Sequence, residues 1–193
     1  MSKKMEQELL MYKLGMKELV DKLEILNQDY ENKNSYILME HIKFRLKSKE
    51  SIKQKLINDG FSFNLENLNK INDIAGVRVV VAFEDDIKKV RDLVLKIPNI
   101  KVLKEKDYIK NPKESGYESY HMILSIPITL IDCEKFITVE LQIWTLIMDT
   151  FASIDHKLVY KNKTQNLSSL FKNYSKQMQL LDDCFSELKR NLN

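Results

Sequence analysis

The residues that could do chemistry cluster in three short stretches. The first, residues 72–83, NDIAGVRVVVAF, sets Asp73 just ahead of a β-branched run. The second, 107–124, DYIKNPKESGYESYHMIL, carries lysines, tyrosines and His121. The third, 138–145, TVELQIWT, places Glu140 inside an apolar alternation. Two carboxylates beside β-type segments, with a basic and aromatic loop between them, are the parts of a divalent-metal site for nucleotide phosphates. Mg²⁺ in particular is held by one or two carboxylates plus substrate phosphates, which suits the pair Asp73 and Glu140. On residue types alone a plainer arrangement has equal standing, with Asp73 capping a turn and Glu140 paired with a lysine.

Strand alternation over 136–143 puts Thr138, Glu140 and Gln142 on one face, continued by Trp144, and Val139, Leu141 and Ile143 on the core face. A glutamate and a glutamine on the less apolar face need partners, and a metal or polar ligand would supply them. Gly76, between Asp73 and Arg78, lets the backbone approach something closely. Arg78 is suited to bidentate phosphate contact or to stacking on a base. Lys43, Arg45, Lys47, Lys49, Lys53 and Lys55 crowd one region, a run that by itself reads first as a solvated helix face. By the same standard Tyr117 and Tyr120 read as core aromatics and His121 as a structural histidine. The chain has neither a P-loop nor a Rossmann GxGxxG, so a nucleotide site here is of another kind.

The elements that must position these residues follow from periodicity. Apolar residues recur at helical spacing over about 6–27, and 29–35, DYENKNS, reads as a polar break. A second helical segment covers 36–47, YILMEHIKFRLK. Ser48 caps a third helix over 49–59, with Gly60 as its C′ residue. A buried strand at 77–83 leads into a helix over 84–96 that opens on Glu84, Asp85 and Asp86 and is closed by Pro98. A short strand at 100–103 precedes a polar loop over 104–116, then 122–130 and 136–143 form an antiparallel hairpin. Helices over 145–160 and 167–192 complete the chain. Strands mixed with helices indicate an α+β or α/β sheet domain.

At 193 residues the chain suits one well-buried domain better than two. A net charge of +3 is too small to imply nucleic-acid binding, so local charge decides. Cys133 and Cys184 lie in no CxxC arrangement, which favours free thiols in a reducing compartment. With no apolar leader in MSKKMEQELL and no run of membrane-spanning length, a cytoplasmic protein is expected.

Four motifs in order, FRLKSKESIKQKL, NDIAGVRVVV, DYIKNPKESGYESYH, and VELQIWT followed by MDTFASIDHKLVYK, resemble the synthetase domain of the RelA/SpoT alarmone family, and most of all its stand-alone small alarmone synthetases. The resemblance spans the N-terminal helix to about residue 161. It implies an α+β fold with a mixed, nucleotidyltransferase-like sheet, a core at about 36–161, and terminal helices at 6–27 and 167–192 available for oligomerisation. The implied activity is transfer of pyrophosphate from ATP to the ribose 3′-oxygen of GDP or GTP, with GMP as a further acceptor, using Mg²⁺. By motif position Asp73 resembles the metal-binding aspartate, and Glu140 the glutamate that shares the metal and activates the 3′-hydroxyl. Arg45 and Arg78 would sandwich the adenine, with Lys47, Ser51 and Lys55 on the ATP phosphates. Tyr117 would stack on guanine, with Lys113, Ser115, His121, Gln142 and the backbone near Ala152 around the acceptor. A homotetramer through the terminal helices is also implied. The family's hydrolase carries a His-Asp motif, and no His-Asp dipeptide occurs here, so synthesis without degradation is expected.

Two positions depart from the family pattern. Trp144 stands where Arg is usual, and Glu118 where the loop often reads GYR or GYQ. The first removes a positive charge from the catalytic face and the second adds a negative one beside the guanine loop, both against tight binding of an anionic acceptor. The resemblance therefore extends to toxin-like relatives that pyrophosphorylate the 3′ end of tRNA, and to a weakly active regulator that binds guanine nucleotides or single-stranded RNA.

Overall fold

The β-branched run forms β2 (Ala75–Val81), which pairs in parallel with β5 (Glu134–Thr145), so that Gly76 lies opposite Glu140 and Arg78 opposite Gln142. The computed structural model describes residues 3–112, 118–158 and 167–192. Around this pair, β1 (His41–Leu46), β3 (Lys101–Asp107) and β4 (Tyr120–Thr129) complete a mixed five-stranded sheet of order β1-β2-β5-β4-β3, in which only the β2–β5 pairing is parallel. β4 and β5 form the expected hairpin, with Thr129 opposite Glu134. Helices α1 (Lys3–Asn34), α2 (Lys49–Asn58), α3 (Glu84–Val94), α4 (Leu146–Leu158) and α5 (Leu167–Leu192) flank the sheet, giving an α+β fold.

Alternation decides what each face does. Val77, Val79, Met122, Leu124, Leu141 and Ile143 are all within the core cluster and essentially inaccessible. Their even-spaced neighbours Arg78, His121, Glu140 and Gln142 share the opposite face through the strand registers. Helix α1 packs on the core side closely enough that a Cβ on Gly15 would stand 2.9 Å from Cβ of Ile137. A Cβ–Cβ approach of that kind cannot be relieved by a rotamer change, so this crossing requires glycine.

Three assignments differ from the sequence reading. The segment 36–47 is not a helix: His41–Leu46 is a strand, antiparallel to β2. Ile42, Phe44 and Leu46 alternate with His41, Lys43 and Arg45, a period of two that the longer window YILMEHIKFRLK masks. The preceding turn is tied down by Asn27, whose side chain accepts from Met39 N at 2.8 Å and donates to Met39 O at 2.9 Å. The polar break at 29–35 is helical through Asn34, held by the Asp29–Lys33 pair at 2.6 Å, and the chain turns only at Ser35 with φ of 50°. The strand begun near residue 100 runs to Asp107, absorbing the first part of the expected polar loop. By contrast α2 ends as read: Ser48 Oγ accepts from Ser51 N at 3.2 Å, and Gly60 sits at φ 82°.

Candidate active site

Asp73 lies two residues before β2 and Glu140 sits mid-strand on β5, and both carboxylates line two adjoining cavities on the polar face of the sheet. The first cavity, about 240 Å³, is bounded by Lys43 and Arg45 on β1, Arg78 on β2 and Gln142 on β5. Gly76 forms part of its floor; a Cβ there would meet nothing nearer than Arg45 O at 3.9 Å. The second, about 250 Å³, is lined by Lys55, Lys70, Lys104, Lys106, Tyr108 and His121. The two acids thus form the wall between an arginine-lined space and a lysine-lined one.

Each acid is held in its ionised form by named partners. Lys47 Nζ and Lys55 Nζ donate to the two oxygens of Asp73 at 2.6 and 2.7 Å. Burial pushes the Asp73 carboxyl up, but these two ammonium groups outweigh it and hold it below the ordinary aspartate range. Around Glu140, His121 Nδ1 lies 3.2 Å from one oxygen and Gln142 Nε2 donates to the other at 2.9 Å. Burial raises this carboxyl too; His121 and Gln142 bring it below the usual glutamate value, against the charge of Asp73. The charge of Asp73 acts on Glu140, and a cation held by both acids would relieve it. Among the described residues no group of three or more His, Cys, Asp or Glu side chains could hold a metal. Two carboxylates facing arginine- and lysine-lined cavities nevertheless fit Mg²⁺, which takes its remaining ligands from substrate oxygens and water.

Arg78 is anchored by a residue the sequence reading missed. Its Nη1 donates to Asp149 at 2.8 Å, while Lys43 Nζ donates to the other oxygen of Asp149 at 2.6 Å. Asp149 stands in the first turn of α4, where an acid is favoured by the helix end, and is only 9% exposed. Burial raises its carboxyl, and Lys43 and Arg78 more than reverse that. The Arg78 guanidinium also lies 3.9 Å over the ring of Trp144. Trp144 therefore does not leave the polar face of the sheet without positive charge; it lies against Arg78, which supplies it.

The remaining expected positions divide plainly. Arg45, Arg78 and Gln142 meet in the first cavity, and Lys55 and His121 in the second. Lys47 reaches the site through Asp73. Ser51 lies in the first turn of α2 with its hydroxyl 3.0 Å from that of Ser48. Ala152 is not with the others: it lines a separate small cavity with Glu118, Trp144 and Asp182. Glu118 accordingly faces α4 and α5, and burial together with Glu84, Asp182 and Asp183 pushes its carboxyl up to about 7. Lys113, Ser115 and Tyr117 lie outside the described residues. Lys104 and Lys106 were missed because 104–107 was read as loop; as a strand, their alternation aims both at the site face.

Residues 44–165 match the profile of a region found in RelA / SpoT proteins, well over half of the chain. The chain belongs to the RelA/SpoT family. Among its RelA/SpoT relatives, the GTP pyrophosphokinase YwaC of Bacillus subtilis is 38% identical over 157 residues, 81% of this chain and 75% of that protein. The GTP pyrophosphokinase YjbM of the same organism is 33% identical over 190 residues, covering 97% and 89%. The crystal structure of small alarmone synthetase 1 from B. subtilis bound to its product pppGpp superposes with a TM-score of 0.90 at 31% identity, over 99% of both chains. The same synthetase bound to AMPCPP matches with a TM-score of 0.83 at 29% identity over 99% and 98%. The mixed sheet is thus of the nucleotidyltransferase-like type these synthetases share.

Proposed function

We propose that this chain is a (p)ppGpp synthetase that transfers pyrophosphate from ATP to the ribose 3′-hydroxyl of a guanine nucleotide. One observation carries the reading: Asp73 and Glu140 form the common wall of two cavities, one lined by arginines and the other by lysines, with a histidine and a tyrosine. That is the geometry a two-nucleotide reaction needs, with donor and acceptor meeting across a shared acidic wall. The names of the relatives and the pppGpp and AMPCPP bound to small alarmone synthetase 1 agree with it.

In this reading the first cavity takes ATP, with Arg45 and Arg78 about the adenine, and the second takes GDP or GTP. The acceptor 3′-oxygen attacks the β-phosphorus of ATP. The bond from that phosphorus to the bridging α–β oxygen breaks and AMP leaves with the oxygen. Glu140, ionised at neutral pH, accepts the 3′-hydroxyl proton, and His121 and Gln142 fix its orientation. Lys47 and Lys55, already at Asp73, supply positive charge to the phosphates. Mg²⁺ held by Asp73 and Glu140 would neutralise charge on the transferred group. Lys104 and Lys106 give the acceptor cavity an attraction for a polyphosphate that offsets the loss of an arginine at position 144.

The test is to incubate the purified protein with γ-labelled ATP and Mg²⁺, offering GMP, GDP, GTP and deacylated tRNA separately. Label on a guanine nucleotide, with AMP released in equal amount, is expected. Label on tRNA alone, or on no acceptor, overturns the proposal.

A further inference from the structure

We propose that Trp144 and Asp149 are positioning residues that set Arg78 as a stacking surface for the donor base; this rests on the reading that the first cavity takes ATP. Arg78 is a long, flexible side chain, and a guanidinium used for stacking must be fixed in plane before the base arrives, or its ordering offsets the gain in binding. Three contacts fix it here. Trp144, diagonal to Arg78 on the same face of the β2–β5 pair and 2% exposed, lies 3.9 Å beneath the guanidinium. Asp149 takes Nη1 at 2.8 Å from the edge, and Gln142 Oε1 accepts from Nη2 at 3.5 Å. The ring thus occupies one side of the guanidinium plane. The side chain, 32% exposed, also lines the cavity that Arg45 borders from the neighbouring strand. The order across the site is then indole, guanidinium, adenine and the second guanidinium of Arg45.

Asp149 adds a charge argument. Two guanidinium groups and Lys43 bordering one cavity repel each other, and the carboxylate bridging Lys43 and Arg78 cancels part of that repulsion while meeting Arg78 through Nη1. It lies on α4, so the seating of that helix and the order of the donor site are linked.

Trp144 is the only tryptophan of the chain, so it reports on its own site. With the α,β-methylene analogue of ATP and no acceptor, wild-type emission is expected to change saturably, and GDP at the same concentration to leave it unaltered. In steady-state transfer to GDP, Trp144→Leu and Asp149→Asn are each expected to raise KM for ATP about 5- to 10-fold, with kcat and KM for GDP within about 2-fold. Trp144→Phe, which keeps an aromatic face, is expected to stay within about 3-fold of wild type. An unchanged KM for ATP in Asp149→Asn, in a protein with native circular dichroism and melting, overturns the proposal. So does an emission change driven by GDP instead of the ATP analogue. If Trp144→Leu fails to fold, Asp149→Asn and the wild-type titration decide. Absence of transfer by the wild type overturns the synthetase reading, whereas the fluorescence arm still tests the Arg78 platform.

Discussion

Asp73 and Glu140 do different work despite sharing a wall. Asp73 is clamped by two lysines, while Glu140 is set by a histidine ring and an amide. Asp73→Asn removes the charge that gathers Lys47 and Lys55, and Glu140→Gln removes the group that accepts the proton in the proposed mechanism while keeping its shape. Each is expected to lower kcat by about 10²- to 10⁴-fold, with ATP-analogue binding retained, in the same labelled-ATP assay. A double variant with full turnover is incompatible with the mechanism. Both carboxyls lie below their ordinary values, so the acid limb of the kcat profile is expected under the usual carboxylate range, activity falling only as pH drops through it. At this scale the two acids were legible because each flanks or interrupts a β-type run. Asp149 was not, because its partner Arg78 is 71 positions away and only the docking of α4 on the sheet brings them together.

At the scale of elements, long strongly periodic segments were legible and edge segments were not. α2, α3, α5 and the β4–β5 hairpin follow from caps, apolar spacing and a turn. β1 carries only three alternating apolar residues, and it is strand because β2 offers it a ladder, an influence that sits outside its own sequence. A second effect of docking appears where α5 meets the body of the protein. Thr145 donates to Asp182, which is 3% exposed, and the other oxygen of Asp182 has no hydrogen-bond partner among the described residues. Burial and the neighbouring Asp183 push its carboxyl up to about 6, and Glu118 nearby stands at about 7. Acids raised in the folded state favour folding when protonated, so their contribution is present below the unfolded carboxylate values and is lost as pH rises through about 6 to 7. The depressed acids Asp73, Glu140 and Asp149 act lower, below about pH 4. Asp182→Asn is therefore expected to stabilise the protein by about 1 kcal/mol at about pH 8 and to flatten the fall in melting temperature between about pH 5 and pH 8. A variant whose melting temperature tracks wild type at both ends would refute this.

For the whole molecule, α5 is informative because, among its described residues, large apolar side chains stay exposed while small and polar ones are buried. The residues it buries include Ser175, Asp182 and Ser186, while Leu181, Phe185, Leu188 and Leu192 form a stripe at i, i+4, i+7 and i+11 that is 43 to 85% exposed. A contiguous apolar stripe of that kind marks an interaction surface. Polar contacts help to hold the helix, Thr145 to Asp182 and Lys189 to the fully buried Asp86 at 2.7 Å, beside Met178, which shares a small cavity with Ile147, Met148 and Phe151 of α4. A second copy of this chain is the simplest cover, since self-association places identical stripes against each other. Light scattering on the eluting protein is expected to give a multiple of the 22.8 kDa chain mass for wild type, and a single chain for Phe185→Glu combined with Leu188→Glu. Phe185, Leu188 and Leu192 border a cleft with Tyr30, Tyr36 and Phe83, and the stripe shares no residue with either of the two cavities of the site, so the dissociated variant is expected to keep KM for ATP within about 3-fold. A wild type that elutes at the single-chain mass across the concentration range used in the assay refutes the assembly, and the outward stripe then requires a different protein as its cover.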